Sequence, residues 1–238
     1  MICSESLTPL TTGRGVSYII YRSDILERLA IFDVDYTLTK RETLIELYLF
    51  MVKKNPKLLM HMPKIIMSGI LYALKIYDAG RAKRTFIRFL EGINEKKMKS
   101  LVKEFYEERL SKILYKDAID TMKELKGEGC KVYLISASPE VYLNELYNIK
   151  EVDMIIGTRL KIEDGIYKST FEGENNKGEE KIRRLKEVLK KENLEVDFKN
   201  SYMFSDSLAD LPLFKLVGNA YLINSRKKYN NVKNLKWS

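Results

Sequence analysis

Short, uninterrupted apolar runs recur along the chain, separated by longer stretches with helical periodicity. Residues 29–34 (LAIFDV), 131–135 (KVYLI), 153–156 (DMII), 202–204 (YMF) and 220–223 (AYLI) are such runs. Runs without apolar–polar alternation are the pattern of strands buried on both faces. Ala118, Ile119, Met122 and Leu125 then share one helical face, closed by Gly127 and Gly129. Ile182, Leu185, Val188 and Leu189 repeat the pattern ahead of the fourth run. Strands alternating with helices predict an α/β fold, a doubly wound parallel sheet covered on both sides.

About ninety residues lie between the first two strands, far more than one crossover helix needs. Residues 44–52, 58–76, 82–90 and 96–114 are helix-like. This segment, 40–130, is expected to form an inserted helical cap above the carboxyl end of the first strand. The core would comprise 29–39 and 131–225, with residues 1–28 a loosely ordered leader and 226–238 a basic tail. Residues 160–169 (LKIEDGIYKS) flank Asp164-Gly165 with alternating positions, a strong two-residue hairpin signal. The most apolar window, 58–74, is interrupted by Pro63 and Lys64. Its clean part, 65–74, is half the ~20 residues of a membrane span. A buried helix is the expectation, and a helix lying on a membrane surface is the alternative.

Composition narrows the class. The 238 residues are 45% hydrophobic and 32% charged, the balance of a globular protein with a sizeable core. Cys3 and Cys130 are far apart and lack ligand spacing, which predicts a reducing, cytoplasmic setting and no zinc site. Residues 1–24 lack the basic start and apolar run of a secretory signal. The formal charge of +9 suits anionic partners without choosing among them. Lys-rich runs such as 181–191 read as solvated helix faces, and no basic stretch is interleaved with aromatics, so no nucleic-acid partner is expected. Oligomeric state is not legible.

The chemistry gathers where strands end. The first strand runs into Asp33-Val34-Asp35-Tyr36-Thr37, two carboxylates that leave the strand in the same general direction. Open parallel sheets place ligands at such ends. A cation would relieve the repulsion, and hard oxygen ligands suit Mg²⁺; taken alone, a solvated acidic loop accounts for the pair equally well. The second strand ends in Ile135-Ser136-Ala137-Ser138-Pro139. Ser138 as N-cap and Pro139 at the first helical position predict a helix start and an anion site beside the Ser136 hydroxyl. The fourth strand ends in Phe204-Ser205-Asp206-Ser207-Leu208-Ala209-Asp210, and Lys177 and Lys181 stand before and within the start of the preceding helix. Together these groups could hold a divalent cation and a phosphoryl group.

DVDYT, a serine after a second strand, a lysine, then DSLAD, in that order on alternating strands, resembles the haloacid dehalogenase (HAD) superfamily, over residues 29–224. Among its branches the phosphoserine-phosphatase-like one is most similar, since its helical cap follows the first motif. The resemblance implies a Rossmann-like core and a Mg²⁺-dependent phosphatase acting on a small phosphorylated metabolite through an aspartyl-phosphate. Asp33 would be the nucleophile and Asp35 the acid and base. Mg²⁺ would be held by Asp33, the Asp35 carbonyl and Asp206, with Asp210 supporting. Ser136 would bind a phosphoryl oxygen, Ala137 beside it would face substrate, and Lys181 or Lys177, the former favoured, would balance charge. Thr37 would donate its hydroxyl to the phosphoryl loop. Ser205, where many members carry glycine, is expected to alter the turn only. In the cap, Glu42 follows the first motif as a substrate-reading glutamate does, and Arg84 could bind a substrate carboxylate, with Lys83 and Arg88 fitting nearly as well. The other readings are a phosphatase for a lipid-like phosphate at a membrane surface, and a non-catalytic basic binding module.

Overall fold

The computed structural model describes residues 8–11, 16–19 and 26–238. Six strands form one parallel sheet in the order β10-β9-β8-β3-β4-β5. They are β3 (Arg28–Phe32), β4 (Cys130–Pro139), β5 (Val152–Thr158), β8 (Tyr202–Ser205), β9 (Asn219–Ile223) and β10 (Val232–Leu235). The central strand β3 shows why its run is continuous. Ala30 and Phe32 enter one hydrophobic core with Val132, Leu134 and Phe204, while Leu29 and Ile31 enter a second with Tyr133, Ile135 and Met203. Alternate side chains point to opposite faces, and both faces are covered.

On the second face α7 (Glu179–Lys191) and α8 (Leu211–Leu216) supply Leu185, Leu189, Leu213 and Phe214. On the first, α5 (Lys116–Gly127) contributes Ala118, Met122 and Leu125. Because α5 packs on β3 and β4, the residues between the first two sheet strands include a core crossover helix as well as the cap. The cap helices are α1 (Thr43–Lys54), α2 (Met62–Ala73), α3 (Ala79–Phe86) and α4 (Glu95–Glu108). A short α6 (Glu140–Leu143) follows β4. The hairpin β6 (Leu160–Glu163) and β7 (Ile166–Phe171) turns at Asp164 and Gly165, both at positive φ, 50° and 72°. That is the conformation an Asp-Gly pair provides. The hairpin leans on the cap, where Gly92 and Glu95 donate backbone hydrogen bonds to Tyr167 and Gly165.

Three expectations change. The segment 226–238 is not a tail. Val232 to Leu235 pair in parallel with Ala220 to Ile223, and Trp237, 7% exposed, stacks on Phe32 and Phe204. Backbone pairing and one indole anchor a segment that has little apolar content of its own. At the other end, β1 (Thr8–Thr11) and β2 (Val16–Ile19) pair antiparallel, and the rest of 1–25 lies outside the described residues. The core already begins at Glu27, which bridges to Val196. Finally, α2 is not buried. Ser68 is its one buried residue, while Ile66 (55%), Ile70 (47%) and the following Leu74 (64%) are exposed. One flank packs inward through Met62, Ile65 and Ser68, and the opposite stripe finds no partner among the described residues and faces outward. No helix among the described residues is long and apolar enough to cross a membrane.

Removing the Trp237 indole should expose its partners and leave a cavity. Trp237→Ala is expected to lower unfolding free energy by ~3 kcal/mol in urea titration. A loss below ~1 kcal/mol would show that the C-terminal segment is not part of the core.

Candidate active site

Parallel pairing aligns the carboxyl ends of β3, β4 and β8. Phe32 lies opposite Leu134 on one side and Phe204 on the other, so Asp33, Ser136 and Asp206 leave the sheet on neighbouring strands. The Asp33 amide donates to Phe204 O at 2.9 Å, and the Asp206 amide donates to Thr37 Oγ1 at 2.8 Å. Thr37 is therefore a buried brace between two strand ends, an acceptor in that bond, and it does not line the cavity described below. Between Asp35 and Thr37 the chain turns through Tyr36, a non-glycine residue at φ 57°. Such a conformation is tolerated where surrounding contacts over-determine it.

Lys181, in the first turn of α7, lies at the centre. Its Nζ is 2.8 Å from Asp33 Oδ1 and 2.7 Å from Asp210 Oδ1, and all three side chains are buried. Lys177 reaches none of the aspartates; it donates to Tyr72 Oη at 3.0 Å. Asp210 also accepts from Ser205 Oγ at 2.8 Å, so both its oxygens are engaged. Asp210 supports the site by anchoring the lysine, and Ser205 is its second partner, where the expectation for that serine was an altered turn.

The electrostatics follow from burial. Burial raises the pKa of Asp33 well above the ordinary carboxylate range; Lys181 opposes this, and Asp210 and Asp35 add to it. Burial, then Asp210 and Asp35, push Asp206 up to about 6. For Lys181 burial acts downward, and the Asp210 and Asp33 carboxylates outweigh it, so the ammonium is held charged. Two carboxylates thus grip the Lys181 ammonium, and Asp35 and Asp206 stand close enough to add to the repulsion, an excess of negative charge that a cation would relieve. The free donors are all oxygen: the Asp33 Oδ2, the Asp206 carboxylate, which makes no ion pair, and the Asp35 carbonyl, which accepts no hydrogen bond among the described residues. No group of three acidic, His or Cys side chains among the described residues forms a protein-only cage. Two carboxylates and a carbonyl suit a hard divalent ion that keeps several waters.

Asp35 has a different environment. Its Oδ1 accepts from the Thr43 amide and Thr43 Oγ1, both at 2.7 Å, and its Oδ2 accepts from Ser138 Oγ at 2.6 Å. Thr43 Oγ1 lies 3.0 Å from Tyr142 Oη. Ser138 is thus not the N-cap of a helix. The chain stays extended through Pro139, whose ring disfavours helical backbone at the preceding residue. The helix that follows has four residues and no side-chain cap, so the expected helix-end anion site is absent. Ser136 is buried, and its Oγ accepts from the Ser138 amide at 3.0 Å, which leaves its proton free to donate. Asn176 holds this strand end from behind, donating to the Ser136 and Ile156 carbonyls at 2.9 Å each.

A cavity of about 380 Å³ opens over Asp35 and Ala137, between core and cap. Leu44, Ile65, Tyr72 and Phe86 give it apolar walls, and Glu42, Ser68, Lys83, Asn175 and Lys177 are its other polar groups. Glu42 also caps α1, accepting from the Ile45 amide at 2.7 Å. Burial, with Asp35 second, lifts its pKa to about 7. Lys83 reaches down from α3 to the Ala137 carbonyl at 2.7 Å, and burial pulls its pKa down to about 8. Arg84 does not enter this cavity. Its guanidinium lies over the Phe171 ring on the cap's outer side, because adjacent helical residues point about 100° apart. Lys83, Thr43 and Ser138 are thus the contributors that sequence reasoning underweighted. Lys83 carries a detectable signal only as one of several cap cations; Thr43 and Ser138 carry none beyond their hydroxyls.

Residues 30–215 match the model of the family described as haloacid dehalogenase-like hydrolase. The chain belongs to the haloacid dehalogenase-like hydrolases. Among curated members, phosphoserine phosphatase SerB1 of Mycobacterium tuberculosis is 26% identical over 147 residues, 62% of this chain and 47% of that protein. The chain spans about half the length of the curated relatives it matches. In fold it is similar to a protein of unknown function from Bordetella pertussis Tohama I, at TM-score 0.75 and 22% identity over 84% of this chain and 91% of that one. It is also similar to a substrate-bound phosphoserine phosphatase, at TM-score 0.59 and 20% identity over 83% and 86%. The expected hydrolase family and its α/β core are therefore those of this chain.

Lys181→Met in the presence of a chelator should cost ~3 kcal/mol at pH 8, since it strands two buried carboxylates. Burial raises the folded-state pKa of Asp33 and so favours its protonated form, and the deficit should shrink as pH falls towards 5. Denaturant titrations at the two pH values test this; a deficit that is constant, or larger at low pH, would contradict the assignment.

Proposed function

We propose that this hydrolase is a Mg²⁺-dependent phosphatase acting on a small phosphomonoester, with Asp33 as nucleophile and Asp35 as acid and base. The observation that carries this reading is the division of labour between the two aspartates. Asp33 is buried and bonded by an ammonium alone, whereas Asp35 is held mainly by hydroxyls and opens on the cavity. Mg²⁺, held by Asp33, Asp206 and the Asp35 carbonyl, would neutralise charge on the phosphoryl oxygens and the nucleophile.

In the first step an Asp33 oxygen attacks phosphorus as the ester oxygen departs, and Asp35 gives that oxygen its proton. In the second, Asp35 takes a proton from water as the water attacks the aspartyl-phosphate, which releases phosphate and restores Asp33. An acid that must gain and lose a proton needs partners that can reverse. Thr43 and Ser138 hydroxyls can donate to the carboxylate and accept from the acid. Lys181 stays charged throughout and holds Asp33 in one orientation. The Ser136 hydroxyl, free to donate, supports binding of a phosphoryl oxygen.

The cavity supports a compact leaving group, since 380 Å³ is near the lower end for ligand sites. Glu42 and Lys83 would pair with an ammonium and a carboxylate, which favours a phosphoserine-like substrate.

Asp33→Asn should lower phosphate release at least ~10³-fold with its melting temperature kept, and chelation of wild type should abolish turnover until Mg²⁺ is restored. Retained turnover in Asp33→Asn would refute the mechanism. For the substrate, Lys83→Met should raise KM for phosphoserine at least ~10-fold while Arg84→Ala leaves it unchanged; the reverse order would place the reading residue outside the cavity.

A further inference from the structure

The cap carries a surface that the proposed catalysis does not use. Between Leu47 and Leu90, nine Lys and Arg residues face one acid, Asp78. Lys64, Arg81, Arg84 and Arg88 line a groove of about 580 Å³ between α2, α3 and β7, with Met67 and Leu71 beside them. None of the four forms an ion pair among the described residues. The acids nearest in sequence are committed elsewhere: Asp78 caps α3 through the Arg81 amide at 2.8 Å, and Glu91 accepts from Ser169 Oγ at 2.7 Å.

Along the groove runs the outward stripe of α2. Ile66, Met67, Ile70 and Leu74 are exposed, with Met60 and Ile76 at its two ends. Aliphatic side chains of this size are unusual as a contiguous exposed crest and mark an interaction surface. We propose that this face of the cap docks on an anionic lipid surface, α2 lying in the interface plane with its aliphatic crest among the acyl chains and the groove cations on headgroup phosphates. An amphipathic helix with cations beside its apolar face has the chemistry for that. The competing occupants fit less well. A duplex nucleic acid would engage the cations but leave the aliphatic crest unpartnered, and a single strand would need aromatic stacking surfaces, which the crest lacks. A second copy would bring like charge against like charge. At twelve residues α2 lies on a bilayer and does not span it.

The inner flank of the same helix, Ile65, Ser68, Gly69 and Tyr72, lines the cavity over Asp35. A docked cap would therefore hold the wall of the proposed active site against the membrane, whatever the substrate.

Vesicle co-sedimentation tests the proposal, with phosphatidylcholine alone and phosphatidylcholine mixed with phosphatidylglycerol. The full chain should pellet with the mixed vesicles and stay in solution with phosphatidylcholine alone. Ile66→Asp/Ile70→Asp and Arg81→Glu/Arg88→Glu should each weaken binding at least ~10-fold, with thermal melting unchanged, a readout independent of catalysis. Three results would overturn the proposal: no binding to mixed vesicles at low salt; binding that Ile66→Asp/Ile70→Asp leaves intact, which marks adsorption by net charge alone; or a dimer in solution that this double variant converts to monomer, which assigns the crest to a second copy.

Discussion

One buried ammonium conditions the rest of the site. Without Lys181, Asp33 and Asp210 would be two unpaired charges in a place that water barely reaches, and burying such charges is costly. With it, Asp33 is oriented by a group that carries no acceptor and stays charged. Asp33 keeps its Oδ2 unclaimed, and Asp206 keeps its whole carboxylate so among the described residues. The arrangement depends on the parallel sheet, because only strands running the same way bring the ends of β3 and β8 and the start of α7 to one edge. The aromatic stack of Phe32, Phe204 and Trp237 holds that edge from below.

Around this core the cap supplies a different kind of chemistry. Its cavity is mostly apolar, yet Glu42 and Lys83 are buried in it with values displaced towards neutrality. Groups so displaced gain most from a partner of opposite charge, which is the physical basis for the proposal that the cavity recognises substrate. Two hydrogen bonds tie the halves together across it, Lys83 to the Ala137 carbonyl and Lys177 to Tyr72.

Much of the core was legible in the sequence because burial on both faces writes an uninterrupted apolar run, and five sheet strands announce themselves that way. The sixth does not. Val232 to Leu235 sits at an edge, pairs through backbone, and needs only Trp237 to fasten it. The first-motif aspartates, Ser136 and Lys181 were legible because strand ends in a parallel sheet must meet. What the side chains do after meeting was not. Asp210 was read as a supporting acid, and its support runs through Lys181 and Ser205; Ser138 was read as a helix cap, but Pro139 keeps it extended and its hydroxyl donates a hydrogen bond to Asp35. Arg84 and Lys83 differ by one position, and the register of a short helix against a cavity is settled by packing. The apolar content of α2 was plain, yet composition cannot say which flank finds a partner.

The two chain segments that join cap to core run side by side. Thr39 bridges to Leu114, Lys40 donates to the Ile113 carbonyl, and Tyr115 donates to that of Leu38. Paired in this way they resist twisting and sliding, and bend together about one axis. Immediately beyond that joint stands Thr43, whose amide and hydroxyl both grip Asp35. Any swing of the cap about its joint would therefore pull on Asp35, the acid and base of the proposed mechanism, and so tie the opening of the cavity to the orientation of that carboxylate.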